Sequence, residues 1–359
     1  MTKYSFYFIA LLSFIVQSCA AAPLRKVSCK DPSVQYMGRI KHEDSSATFY
    51  WSGTSATMRF TGSTIAVDLR DEKGTNYYYG IVDDSVYTKI KADTIRQSYT
   101  IADHLKKGVM HKVQVFKLTE ESAGKSWLYG FETDGSTISL LDKVRKKIEF
   151  YGNSITAGYS VDDTVRDTGL PEYFNNYYTY AAMTARHYDA EYYNISKSGV
   201  GLMLSWFPVI MPELYDRLDP LDSIHKWNFH SYVPDLVVID LFQNDSWLIT
   251  KVNHPQFKNR FGTTPPDSTY IVNAYKQFVT TIRNTYPDAS IVCTLGSMDA
   301  TKDGSPWPGY VRAAVCQLHD RKVYSHIFAY KNATGHPKRK DQQKMAESLI
   351  QFIDANVQW

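Results

Sequence analysis

The hydrophobic period changes part-way along this chain, and no single repeating architecture accommodates both periods. From about Val27 to Leu141 the pattern is strand-like. Ile65, Val67 and Leu69 alternate with Thr64, Ala66, Asp68 and Arg70, and Val113 and Val115 alternate with Lys112 and Gln114. A period of two sends successive side chains to opposite faces of a sheet. The pairs Ser52-Gly53, Thr61-Gly62, Lys73-Gly74, Asp83-Asp84, Lys107-Gly108 and Asp134-Gly135 punctuate short runs rich in Tyr, Thr, Val and Phe. Short strands at that spacing, with no helical period among them, predict an all-β sandwich.

From Lys143 onward, continuous apolar runs recur at Ile148–Tyr151, Tyr192–Ile195, Leu236–Leu241, Ile291–Leu295 and Tyr324–Tyr330. Between them Ile271, Ala274, Tyr275, Phe278 and Ile282 share one helical face, as do Met345, Leu349, Phe352 and Ile353. Apolar strands alternating with amphipathic helices predict a parallel sheet covered on both faces. The 359 residues, 43% hydrophobic, are enough for two cores. The expected division is a leader and tether over 1–26, a β-sandwich over 27–142 and an α/β domain over 143–359.

The net charge of +3 is small and no long basic run is present, so nucleic acid is not expected as a partner. Aromatic content is 14%, with 27 Tyr; this suits carbohydrate-handling surfaces and strands alike. The N-terminus reads as an export leader. Lys3 is the only charge before an apolar run from Tyr4 to Val16, too short to span a bilayer. Val16-Gln17-Ser18-Cys19-Ala20 resembles a bacterial lipobox, with Cys19 as the lipidated residue and a membrane anchor as the consequence; cleavage at Ala20–Ala22 is the alternative. Of the other cysteines, Cys29, Cys293 and Cys316, Cys293 lies in an apolar run and is expected as a buried thiol.

Ligands of parallel sheets bind at the carboxyl ends of the strands. Three polar segments fall there: Gly152-Asn153-Ser154, Ser198-Gly199-Val200-Gly201 and Gln243-Asn244-Asp245. Gly335-His336-Pro337 falls between the last strand and the last helix. Ser154 is either a helix cap or a nucleophile. As a nucleophile it needs a base, which His336 supplies, and oxyanion donors. The backbone N–H groups of Ser154 and Gly199 and the side-chain amide of Asn244 are the candidates. Two residues after the serine stands Thr156 and not a glycine, so this is not a Gly-x-Ser-x-Gly elbow.

These blocks resemble those of the SGNH (GDSL-like) hydrolases. Ser154-Ile155-Thr156-Ala157-Gly158-Tyr159, Asn244-Asp245-Ser246-Trp247 and Gly335-His336-Pro337 look most like carbohydrate esterase family two. The resemblance implies an N-terminal jelly roll followed by a three-layer α/β/α SGNH domain. It also implies a serine esterase that deacetylates plant polysaccharides such as xylan and glucomannan, without a metal or other cofactor. Asn153 replaces the commoner Asp, and Phe242-Gln243 the usual Gly-Thr. The triad acid normally stands two or three residues before the histidine, where this chain has Thr334 and Ala333. A Ser154–His336 dyad is therefore expected, with Asp299 or Asp303 as lesser candidates for an acid.

Trp247 is expected either to stack on a sugar ring or to pack its loop, and Trp206 to wall the cleft or enter the core. Trp307, in the Pro/Gly-rich stretch Ser305–Tyr310, is a candidate rim of a polysaccharide groove. Lys338-Arg339-Lys340 reads as a solvated first helical turn. Two rival functions remain at this level: a non-catalytic glycan-binding protein, and a lipase or thioesterase using the same machinery.

Overall fold

The computed structural model describes residues 23–139 and 145–359. Cys19 and the rest of the leader to residue 22, and the boundary expected at 142–143, lie outside the described residues.

The first region is built from two antiparallel sheets, as its period of two requires. One runs in the order Ile40–His42, Ala47–Phe49, Ser126–Thr133, Ile65–Asp71, Gln97–Ala102, with Arg25–Ser28 also paired to Ser126–Thr133. The other runs Thr137–Ile138, Ser55–Phe60, His111–Lys117, Tyr77–Val82, Val86–Lys91, with Gln35–Met37 on Ser55–Phe60. Val67, Leu69, Val113, Val115, Phe60 and Phe131 fill the space between them. The alternation departs from a half-solvated sheet at Ala66 and Asp68, which are also buried, and at Lys117, which is fully buried. Lys117 donates to the carbonyls of Tyr50 and Thr119, and burial pushes its ammonium down to about 8.

The second region is a parallel sheet in the order Glu191–Ser196, Lys147–Gly152, Leu236–Asp240, Ser290–Leu295, Val323–Ile327. Each strand overlaps an expected apolar run. The last is shorter than expected, because Phe328 to Tyr330 leave the sheet toward the histidine loop. The helices Ser268–Thr285 and Arg339–Asn356 bury Ile271, Tyr275, Phe278 and Ile282, and Met345, Leu349 and Ile353, at the i, i+4, i+7 spacing of one helical face. Cys29 and Cys293 are buried and Cys316 exposed, and all three are free; burial pushes the Cys293 thiol up to about 12.

The two regions share their packing. Tyr50 and Trp51 of the sandwich belong to the apolar core on one face of the parallel sheet, and Tyr79, Ile81, Phe116 and Leu118 to the core on the other. Polar groups lock the seam. Arg39 donates to the carbonyls of Tyr215 at 2.6 Å and Arg217 at 2.9 Å and pairs with Glu149 of the sheet at 3.0 Å.

Candidate active site

Three adjacent strands of the parallel sheet end in the three polar segments singled out above. The middle strand, Lys147–Gly152, delivers Ser154; Glu191–Ser196 on one side leads to Gly199, and Leu236–Asp240 on the other leads to Asn244. Gly152 allows the sharp exit, since a Cβ there would meet Thr156 Oγ1 at 2.1 Å. The short helix Ser154–Ala157 follows at once. Its cap is Asn153, whose Oδ1 accepts the Ile155 N–H at 3.0 Å. The Ser154 hydroxyl is thus spared the capping role, and it lies 2.8 Å from His336 Nε2 across 182 positions of sequence.

The expectation of an unsupported dyad is corrected by Asp167. His336 Nδ1–H donates to Asp167 Oδ2 at 2.5 Å, and the His336 backbone N–H reaches the same oxygen at 2.7 Å. Thr334 and Ala333 are irrelevant to this contact, because the carboxylate arrives from the loop after Ser154, 169 positions before the histidine. Burial alone would raise the Asp167 carboxyl, but hydrogen bonds from His336 and Lys338 outweigh it and hold it well below the usual range. Asp163 shapes the loop by accepting the backbone N–H of Arg166 at 2.8 Å and of Thr168 at 2.9 Å. Neither lesser candidate fills this role. Asp299 is engaged with the Trp247 indole N–H at 2.7 Å and with Gln243 Nε2 at 2.8 Å; no contact joins Asp303 to His336.

Lys338-Arg339-Lys340 is more than a solvated turn. Lys338 Nζ donates to Asp167 Oδ1 at 2.6 Å and to the Ser160 carbonyl at 2.8 Å, and Arg339 Nε pairs with Asp162 at 2.6 Å. The cations after the histidine clasp the acidic loop to it. Tyr159 packs its ring 4.6 Å from the imidazole and closes the other side. The signal that sequence reading passed over was the concentration of acids, Asp162, Asp163 and Asp167, in one long loop after the serine.

On the opposite side, Gly199 has φ +83, which only glycine adopts freely. The Asn244 amide is held by two contacts: Nδ2 donates to the Val200 carbonyl at 2.8 Å, and Oδ1 accepts the Trp206 indole N–H at 3.1 Å. One amide hydrogen remains for another acceptor. Asp245 buttresses the loop by accepting the N–H groups of Leu202, Met203 and Leu204 at 2.6–2.9 Å. Phe242, which stands where the resemblance has Gly, keeps φ +84. That conformation is strained for an aromatic residue. Packing against Tyr275 at 4.8 Å and Trp307 at 5.0 Å holds it there.

The three tryptophans part company. Trp206 is 43% exposed and walls the site. Trp247 is half-buried and tied to Asp299. Trp307 is 6% exposed and belongs to the core, so it does not rim a groove. The stretch expected as a loop opens the helix Trp307–Leu318 instead, with Pro308 tolerated in the first turn, where its missing N–H has no intrahelical partner to lose. Among the described residues no His, Cys, Asp and Glu cluster could hold a metal ion, and no helix is long and apolar enough to cross a membrane.

Residues 36–140 match the carbohydrate esterase 2 N-terminal family, and residues 150–334 the GDSL-like lipase/acylhydrolase family. The cellulase/esterase CelE of Acetivibrio thermocellus is 30% identical over 344 residues, 92% of this chain, which spans only 40% of that protein. An acetylxylan esterase / glucomannan deacetylase of Cellvibrio japonicus is 24% identical over 343 residues, covering 93% of this chain and 91% of the relative. A family two carbohydrate esterase from Clostridium thermocellum, solved in complex with cellohexaose, is 30% identical with a TM-score of 0.78, over 90% of this chain and 98% of that one. With a sandwich that matches the first family, a sheet that matches the second, and strand ends that bring serine, histidine and carboxylate together, the chain belongs to the GDSL-like lipase/acylhydrolase family and, within it, to carbohydrate esterase family two.

Proposed function

We propose that the protein removes O-acetyl groups from a plant polysaccharide of the xylan or glucomannan class, or from its oligosaccharides, through an acetyl-enzyme on Ser154. The observation that carries this reading is the line Asp167–His336–Ser154 at 2.5 and 2.8 Å, with the strands that lead to Gly199 and Asn244 on either side of the one that delivers Ser154. Ser154 Oγ attacks the acetyl carbonyl while His336 Nε2 takes its proton. Asp167 keeps the proton on Nδ1 and stabilises the imidazolium that forms. The N–H groups of Ser154 and Gly199 and the free hydrogen of the Asn244 amide receive the oxyanion. As the tetrahedral intermediate collapses and the ester C–O bond breaks, His336 returns the proton to the departing sugar oxygen, which leaves as a hydroxyl; water then attacks the acetyl-enzyme by the reverse route, releasing acetate. No step calls on a cofactor.

Trp206 offers an exposed aromatic face beside Asn244 for the sugar ring, and the half-buried Trp247 lies on the next helical turn. The names of the relatives support the substrate class. The test is acetate release from acetylated xylan and glucomannan by wild type and Ser154→Ala. Ser154→Ala is expected to lose at least about 10³-fold in kcat; full activity in that variant removes the mechanism. A chain-length series of activated esters separates a deacetylase, which prefers acetyl, from a lipase. The leader sequence supports export with a lipid on Cys19. Mass measurement of the mature protein tests this: an unmodified N-terminus beyond Cys19 refutes the anchor.

A further inference from the structure

The β-sandwich reaches the oxyanion side of the site through two adjacent carboxylates. Glu120 is 3% exposed, and its Oε2 accepts the backbone N–H of Ser198 at 2.8 Å. Glu121 is 4% exposed and pairs with the ammonium of Lys197. That ammonium lies 4.6 Å from the centre of the Phe207 ring, and Phe207 and Trp206 are what a side chain on Gly199 would strike. The two residues immediately before Gly199 are therefore gripped from the other domain, while Asp245 grips residues 202 to 204 from below. Two neighbouring buried acids are costly to keep. Burial, and then the like charge of Glu121, push the Glu120 carboxyl up from its ordinary range. The Ser198 N–H and the Lys197 ammonium offset that cost.

We propose that Glu120, supported by Glu121, is a positioning residue that sets the Gly199 N–H for the oxyanion, so that the sandwich is a working part of the esterase site. The proposal rests on the reading of Gly199 as an oxyanion donor. Such a donor acts only within about 0.5 Å of its productive place, and removing one outright lowers kcat by about 10²–10³-fold. A loosened one falls short of that.

The test uses the full chain. Glu120→Ala is expected to lower kcat about 10- to 100-fold with KM within about twofold, because the transition state and not the bound ester loses the contact. Glu120→Gln keeps an oxygen to accept the Ser198 N–H and is expected to recover to within about threefold of wild type. Unchanged kcat in Glu120→Ala, or equal losses in both variants, overturns the proposal. If Glu120→Ala does not fold, Lys197→Met breaks the second contact from the surface side. A kcat loss of about three- to tenfold is then expected, and no loss overturns the clamp. Ser154→Ala measured alongside keeps the two readings apart. An inactive Ser154→Ala beside a fully active Glu120→Ala defeats only this inference, whereas an active Ser154→Ala defeats the serine mechanism itself.

Discussion

Arg39–Glu149 and His336–Asp167 each set a nitrogen-bearing side chain against a carboxylate and join distant parts of the chain, yet their surroundings are opposite. The Arg39 and Glu149 side chains are 1% and 0% exposed. Arg39 also donates to two carbonyls, and Glu149 accepts the Tyr151 hydroxyl at 2.8 Å. His336, Asp167 and Lys338 are 16%, 25% and 28% exposed, and the imidazole spends only one of its two ring nitrogens on the carboxylate. Deep burial means that removing either member of the first pair strands the other in a low dielectric. The second pair lies at the mouth of the site, and its free nitrogen faces a hydroxyl. Burial turns such a pair into a fastening between domains; partial exposure, with one ring nitrogen facing a hydroxyl, leaves it open to proton transfer.

The largest effect that would break this comparison is at the open pair. Asp167→Asn keeps the shape but loses the charge, and kcat on an activated acetyl ester is expected to fall about 10³–10⁴-fold with the fold intact. A loss under about tenfold would mean that something else orients the imidazole. Next comes the buried pair. Glu149→Ala strands the Arg39 cation and is expected to lower stability by about 3–5 kcal/mol, read from the urea midpoint, while kcat of the folded fraction stays within a few-fold. Replacing Arg39 and Glu149 together by apolar residues should recover much of that loss; if the double variant is as unstable as the single, the cation was not what suffered.

Smaller effects sharpen the contrast. Lys338→Met removes the cation that holds Asp167 and ties it to the Ser160 carbonyl. The carboxylate then positions the imidazole less firmly, and kcat on an activated acetyl ester is expected to fall about three- to tenfold; an unchanged kcat would show that His336 alone keeps Asp167 in place. The smallest effect is on acid stability. The folded Asp167 carboxyl is held below its unfolded value, so its contribution is fully present above about pH 5 and is lost as pH falls through and below about 4. The Tm advantage of wild type over Asp167→Asn should be full at pH 6, begin to shrink below about pH 4 and go on shrinking down to about pH 2; an advantage that is the same at pH 2 as at pH 6 would assign it to another group.

The site was legible where chemistry coincides with a strand end. Ser154, Gly199 and Asn244 each follow an apolar run whose end could be read directly, and His336 lies between the last such run and a strong helical face. Asp167 was not legible, because an acid in a long loop has no period and its partner lies 169 positions away. Trp307 misled because Pro and Gly usually mark loops, whereas Pro308 here occupies a helical first turn. Phe242 and Glu120 were also beyond reach. A φ of +84 on an aromatic residue is decided by the core that traps it, and an acid beside Ser198 is decided by how the sandwich docks.

By itself the sequence determined the two periods, the antiparallel and parallel sheets they demand, and the order in which Ser154, Gly199, Asn244 and His336 reach one edge, because side-chain alternation and burial are local consequences of residue order. Only the tertiary structure decided which carboxylate holds the imidazole, which cations hold that carboxylate, and how the sandwich grips the loop before Gly199. Those contacts join loops brought together by packing, and a loop carries no hydrophobic pattern from which its partner can be read.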